Sequence, residues 1–295
     1  MSQTSIQSIF RIPKLGLGCM SLPDSYLASE KIIHSAIDSG ITFFDTADLY
    51  QKGLNEMNIG KAIQSKRNQL TLASKVGNEW NPDGTAWSWN PRKRYILKAV
   101  EESLKRLRTD YLDLYQLHGG TLEDPWEETL DAFDILITQG KIKAFGISSI
   151  RPNVIRKVME MKPPATIMMQ YSPLDRRPEE EVFPILGKTN TRVLVRGAFA
   201  KGILIDKSIS DFLDLSKERV AEIKAEIQKL GFGAEAVLIR FGLEEKAVST
   251  LIIGASSVKQ IEKLRKGFEE SEKIPEPLIR ELKNKFTPNR YQDHR

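Results

Sequence analysis

Short apolar runs alternate with helix-patterned segments along this chain, and that alternation restricts its possible folds more than any other feature. The strand-like runs are residues 15–19, 41–44, 70–75, 111–117, 142–147, 166–170, 191–195 and 249–253, eight in all. Several are apolar nearly throughout, as strands covered on both faces must be. Between them, residues 29–38 place Ile32, Ile33, Ala36 and Ile37 on one helical face. Residues 92–108 do the same with Ile96, Ala99, Val100, Leu104 and Leu107. Pro125 opens a helix over 126–138 that Gly140 ends, and Pro152, Pro178 and the Ser257–Val258 step open others. Eight strand–helix alternations predict a closed (β/α)₈ TIM barrel, class α/β, as a single domain over residues 1–295. Residues 216–231 add a charged helix before the seventh barrel helix, with the Gly231-Phe232-Gly233 turn between the two. An open doubly wound sheet would need Gly-x-Gly-x-x-Gly after a strand. Gly16-Leu17-Gly18 lacks the third glycine.

The chain has 295 residues, 40% hydrophobic and 28% charged, enough for a large core without disulfides. Its one cysteine, Cys19, excludes an internal disulfide and fits a reducing, cytoplasmic setting. No apolar run reaches the roughly 18 residues of a membrane span. The first 18 residues hold Arg11 and Lys14 but no long apolar block, so they do not read as a leader. The net charge of +5 could favour an anionic ligand such as a phosphorylated cofactor, although a solvated lysine-rich surface accounts for it more simply. No basic run interleaved with aromatics points to nucleic acid.

Polar side chains gather where the strands end. Asp45 and Tyr50 follow the second strand, Lys75 closes the third and His118 closes the fourth. In a barrel all four face one rim, the rim that carries chemistry. A phenol is too weak an acid at neutral pH to protonate efficiently, and a nearby cation lowers its pKa. Lys75 is that cation, Asp45 is its counter-ion, and His118 is placed to hold a substrate oxygen near Tyr50. Such a set protonates an oxygen that gains negative charge, as in carbonyl reduction by hydride. Each residue alone also fits a turn, a cap or a solvated strand end. His34 and His294 have no such company.

These motifs resemble the aldo-keto reductase family over nearly the whole chain. Asp45-Thr46-Ala47-Asp48-Leu49-Tyr50, with Asn55-Glu56 and Gly60, is similar to the family's first signature, and residues 103–118 resemble its second. Gly146-Ile147-Ser148-Ser149 and Ile253-Gly254-Ala255-Ser256 fall at its cofactor-binding segments. The resemblance implies an NADPH/NADP-dependent reductase of a small aldehyde or ketone. Tyr50 would be the general acid, tuned by Lys75 and Asp45, with His118 orienting the carbonyl. It implies cofactor contacts at Cys19, Met20, Ser148, Ser149, Gln170, Arg196, Gly254, Ala255, Ser256 and Gln260. Lys259 or Lys263 would meet a 2′-phosphate, or equally well serve only as a solvated helix face.

Some positions depart from the family pattern. Ser149 replaces a frequent asparagine. Met168 stands where the family's nicotinamide-binding glutamine falls, and Gln170, on the same strand face, is its expected substitute. Arg196 takes the place of a frequent aromatic, and an adenine-side asparagine is replaced by Leu264. The segment after Leu204 runs quickly into a helix, so a short cover over the cofactor and fast exchange are expected. Trp80, Trp87 and Trp89, in the long loop after the third strand, either wall an apolar substrate pocket or pack that loop. Two alternatives remain at this stage. One is a cofactor-binding sensor like the potassium-channel β-subunits of this family. The other, more remote, is a phosphate-binding isomerase or lyase on the same barrel. The oligomeric state is open, with a monomer the simplest expectation.

Overall fold

A computed structural model describes residues 12–295, so the first eleven residues, including Arg11 of the leader reading, lie outside the described residues. The eight expected strands form a closed parallel barrel. They are β1 (Leu15–Gly18), β2 (Phe43–Asp45), β3 (Thr71–Val76), β6 (Leu112–Leu117), β7 (Ile142–Ser148), β8 (Thr166–Gln170), β9 (Arg192–Arg196) and β10 (Val248–Gly254). Neighbours around the barrel run β1-β10-β9-β8-β7-β6-β3-β2 and back to β1. The fold is the (β/α)₈ barrel that the alternation predicts.

Strand pleating divides the core in two. Phe43, Ala73, Leu114, Ala144, Met168, Leu194 and Ile252 point inward and fill the barrel with one apolar layer. The alternate residues point outward and join the larger core beneath the helices. Two positions beyond the inner layer along each strand come Asp45, Lys75, Gln116, Gly146, Gln170, Arg196 and Gly254. The layer below is apolar and this one is not, so the barrel floor is packed and its mouth is reactive.

The helices lie where their patterns place them. Lys93–Leu107 buries Ile96, Ala99, Val100, Leu104 and Leu107. It packs so closely on Leu54–Ile63 that a Cβ at Gly60 would lie 2.5 Å from the Leu107 backbone. The charged helix Lys217–Lys229 precedes Ala234–Leu243, separated by Gly231 at φ 75°. Pro178 opens only the three-residue turn Arg177–Glu179, followed by the short helix Val182–Leu186, which stops at Gly187.

The long loop after β3 holds an antiparallel hairpin that the chain's larger alternation hides. In it β4 (Asn78–Trp80) pairs with β5 (Trp87–Trp89), and Trp80 stands opposite Trp87. Residues 81–84, Asn-Pro-Asp-Gly, make the turn, with Gly84 at φ 67°.

Candidate active site

Asp45 is the last residue of β2, and Lys75 the last but one of β3. Their side chains rise from neighbouring strands into the mouth and meet. Lys75 Nζ lies 2.6 Å from Asp45 Oδ2, with both residues buried. The ammonium donates also to the Thr46 carbonyl at 2.7 Å and to the Tyr50 hydroxyl at 3.3 Å. The Tyr50 ring meets His118 edge-on, with centroids 5.9 Å apart. The backbone N–H of His118 donates to the Val76 carbonyl at 2.7 Å, which fixes the residue just past the end of β6. The structure thus brings all four side chains together.

The Tyr50 loop is held by residues the strand-end pattern did not single out. Thr46 donates to Asn55 Oδ1 at 2.7 Å, and Asn55 Nδ2 donates to the Cys19 carbonyl at 2.8 Å. Gln51 Nε2 donates to the Leu22 carbonyl at 2.8 Å. Gln51 and Lys52 are left-handed, at φ 51° and 54°, before Gly53 at 88°. Left-handed non-glycine residues cost energy and persist only where surrounding contacts hold them. Here those contacts stand Tyr50 over Lys75.

Burial sets the charge states. It would strip charge from Lys75, but Asp45 and Tyr50 more than reverse this and hold the ammonium above an ordinary lysine. Burial pushes the Tyr50 phenol up, and Lys75 only partly opposes it. This corrects the sequence expectation of a lowered phenol. The lysine charge is largely cancelled by Asp45 at 2.6 Å, so desolvation wins. Burial, with Lys75 and Arg196 nearby, depresses His118 to about 3, and its Nδ1 is buried with no partner. At neutral pH the mouth therefore holds a protonated phenol and a neutral imidazole above a charged pair. Burial, followed by Glu56, pushes Asp48 up to about 7. It faces away from the mouth toward Tyr95, whose hydroxyl donates to its Oδ2 at 3.3 Å.

The residues expected at the cofactor lie around the same rim, with uneven freedom. Arg196, exposed at the end of β9, sends its charge to Tyr50, Asp45 and His118. It donates to Gln170 Oε1 at 3.2 Å, and Gln170 Nε2 donates to Asp175 at 2.9 Å. Asp175 is clamped in turn by Arg177. Met168 is sealed in the inner barrel layer, two residues below the rim. Ser148 is half-buried at the end of β7, while the Ser149 hydroxyl accepts from the Arg151 N–H at 3.2 Å. The Cys19 thiol is buried and bonded to the Leu17 carbonyl, so its side chain is closed to a ligand, whereas Met20 is exposed. Ala255 is buried, and Ser256 donates twice to Gln260 Oε1. Lys259 and Lys263 are exposed and Leu264 is buried.

The tryptophans separate. Trp89 packs the loop. Its Nε1 donates to Asp124 at 2.9 Å, and a Cβ at Gly119 would come within 3.2 Å of its ring. Trp80 lines a cavity of about 210 Å³ behind the Tyr50 loop, with Asp48, Tyr95 and Arg106, and not the mouth itself. Trp87 remains half exposed. Of the two readings, loop packing describes Trp89, while Trp80 lines the cavity behind the Tyr50 loop and Trp87 is left exposed.

A model of the aldo/keto reductase family matches residues 14–276. The chain belongs to this family. It is 39% identical to the uncharacterized oxidoreductase YqkF of Bacillus subtilis over 96% of both chains. The holo form of aldo-keto reductase AKR11C1 from Bacillus halodurans superposes with a TM-score of 0.89 at 37% identity, over 97% of this chain and 96% of that one. Aldo-keto reductase yakc [NADP(+)] of Schizosaccharomyces pombe is 34% identical over 68% of this chain and 63% of its own length. The chain is thus an NAD(P)H-dependent oxidoreductase of the carbonyl-reducing kind. Among the described residues no helix is long and apolar enough to cross a membrane.

Proposed function

We propose that this aldo-keto reductase reduces a small aldehyde or ketone with NADPH, Tyr50 giving the proton. The observation that carries the reading is the Lys75–Tyr50 contact at 3.3 Å beside a neutral His118. The rim suits a nicotinamide dinucleotide. Gly18 and Gly254 are paired at the ends of β1 and β10, a stretch of bare backbone that an extended ligand would be able to approach. The Ser257-capped helix Val258–Ser271 begins just beyond, with an N-terminus suited to phosphate. Ser148 and Gln170 would hold the carboxamide, and Arg196 would meet the ring or the pyrophosphate. Gly254, Ala255, Ser256 and Gln260 would take the adenosine end. Lys259 and Lys263 are the basic groups near that helix start, and NADP(+) stands in the name of one relative. Cys19 would contribute its backbone alone.

The bound nicotinamide supplies the hydride. The protein's own part is acid catalysis. A neutral His118 donates one N–H to the carbonyl oxygen and fixes it beside Tyr50. As negative charge builds on that oxygen, the Tyr50 proton moves to it. The Lys75 ammonium then stabilises the phenolate left behind, and Asp45 keeps that ammonium in place. The protein is proposed to act in the cytoplasm, in keeping with its single, sealed thiol.

The test is the loss of nicotinamide absorbance with a panel of small aldehydes and quinones, NADPH against NADH. Turnover with NADPH at the lower KM is expected. Preference for NADH, or tight NADPH binding with no turnover on any carbonyl, overturns the reading.

A further inference from the structure

Level with Asp45 and Lys75 lies a fifth polar side chain, fully buried in the barrel mouth. Gln116 is on β6, two residues before His118, and faces inward. Its Nε2 donates to Asp45 Oδ1 at 3.3 Å, while Asp45 Oδ2 is taken by Lys75. A carboxylate only accepts, so the amide must turn its nitrogen to Asp45 and its oxygen away. Gln116 Oε1 then has no partner, although it is buried. Among the described residues the Thr166 hydroxyl on β8 is another buried orphan on an inward-facing strand position.

The register explains the pairing of these two orphans. Gln116 stands beside Gly146 on β7, and Gly146 stands beside Thr166 on β8. Gly146 has no side chain to separate them. A Cβ there would strike the Thr166 hydroxyl and come 3.2 Å from Gln116 Cγ. The Gln116 side chain and the Thr166 hydroxyl therefore share the space over one glycine. An unpaired acceptor and an unpaired donor so placed can be completed by one bridging water.

We propose that Gln116 is the positioning residue of the acid-catalytic set, fixing the Asp45 carboxylate so that one oxygen is committed to the amide and the other to Lys75. Gly146 makes room for it and Thr166 anchors its far end. Without the amide, Asp45 can rotate about its terminal torsion, and the Lys75 ammonium moves with it relative to Tyr50. A shift of that kind costs rate without touching the surfaces a cofactor would occupy. The role rests on Tyr50 acting as the acid in carbonyl reduction, but the geometry of Asp45 does not.

The test pairs two readouts on Gln116→Met, which keeps the length and removes the donor, and Thr166→Val. The first is turnover. For Gln116→Met, kcat is expected to fall roughly tenfold to a hundredfold while NADPH Kd and carbonyl KM stay within about twofold. The second needs no activity. In protein carrying ¹³Cγ-aspartate, the Asp45 carboxyl should titrate about one pH unit higher in Gln116→Met, because a hydrogen bond to its charged form is gone. Thr166→Val should move it the same way by less. Wild-type-like titration of Asp45 in Gln116→Met overturns the proposal, whether or not kcat falls. If wild-type protein reduces no carbonyl, the functional reading fails and the Asp45 titration still decides the role of Gln116.

Discussion

The Lys75 ammonium donates to the Tyr50 hydroxyl at 3.3 Å, yet the phenol is a weaker acid than free tyrosine. The lysine is more tightly bound to Asp45, at 2.6 Å, and the buried pair presents little net charge to the phenol. Tyr50 thus keeps its proton at rest and parts with it only when an oxygen beside it becomes basic.

Replacing Tyr50 by Phe removes that proton and little else. Steady-state kinetics of Tyr50→Phe should show kcat lower by roughly 10²–10⁴-fold. Fluorescence titration should show NADPH affinity within about twofold of wild type. A variant retaining most of its kcat would place the acid elsewhere.

His118 should stay neutral through the physiological range. With its value pressed to about 3 by burial and the nearby Lys75 and Arg196 charges, its ring resonances should not titrate between pH 8 and 5. NMR titration, with His118→Asn used for assignment, checks this. A midpoint near 6.5 would mean that the mouth is wetter than the packing indicates.

Asp48 should make stability fall with rising pH. It is 8% exposed, and burial pushes it up to about 7 with Glu56 adding to the effect. A carboxyl whose folded value is raised contributes its full stability below its unfolded value, near 4, and loses it as pH rises through about 7. The difference over that window is on the order of 4 kcal/mol at most. Asp48→Asn has no such proton to lose. Its Tm relative to wild type should therefore climb between pH 5 and pH 8. A constant difference across that window would contradict the assignment.

Cofactor release should be fast. The segment after the turn Ala200–Gly202 is tied down by its own helix, with Lys224 donating to the Ile203 carbonyl at 2.8 Å and Phe212 bridged to Leu215. A cover fastened in that way has little reach over the rim. Stopped-flow NADPH oxidation should show no pre-steady-state burst. A full burst followed by slow turnover would show that release limits the rate.

Much of the site was legible in the sequence because the barrel assigns direction by position. Asp45, Gln170, Arg196 and Gly254 each end a strand, and a residue ending a barrel strand lies at the working rim whichever face it takes. The hairpin was not legible, since its strands of three residues each are shorter than the patterns that reveal strands. The choice between a pocket wall and loop packing for Trp80 and Trp89 therefore stayed open until the hairpin was seen. Gln116 passed as an ordinary polar residue inside a strand. Its partner Asp45 is 71 positions away, and only barrel closure brings them together.

The sequence by itself determined the eight alternations and the rim on which Asp45, Tyr50, Lys75 and His118 would meet, because apolar periodicity and strand direction are local properties of the chain. The protonation of that meeting was decided only in three dimensions. Desolvation depends on what packs around a group, and so the tertiary structure alone raised Tyr50, lowered His118 and set Gln116 against Asp45.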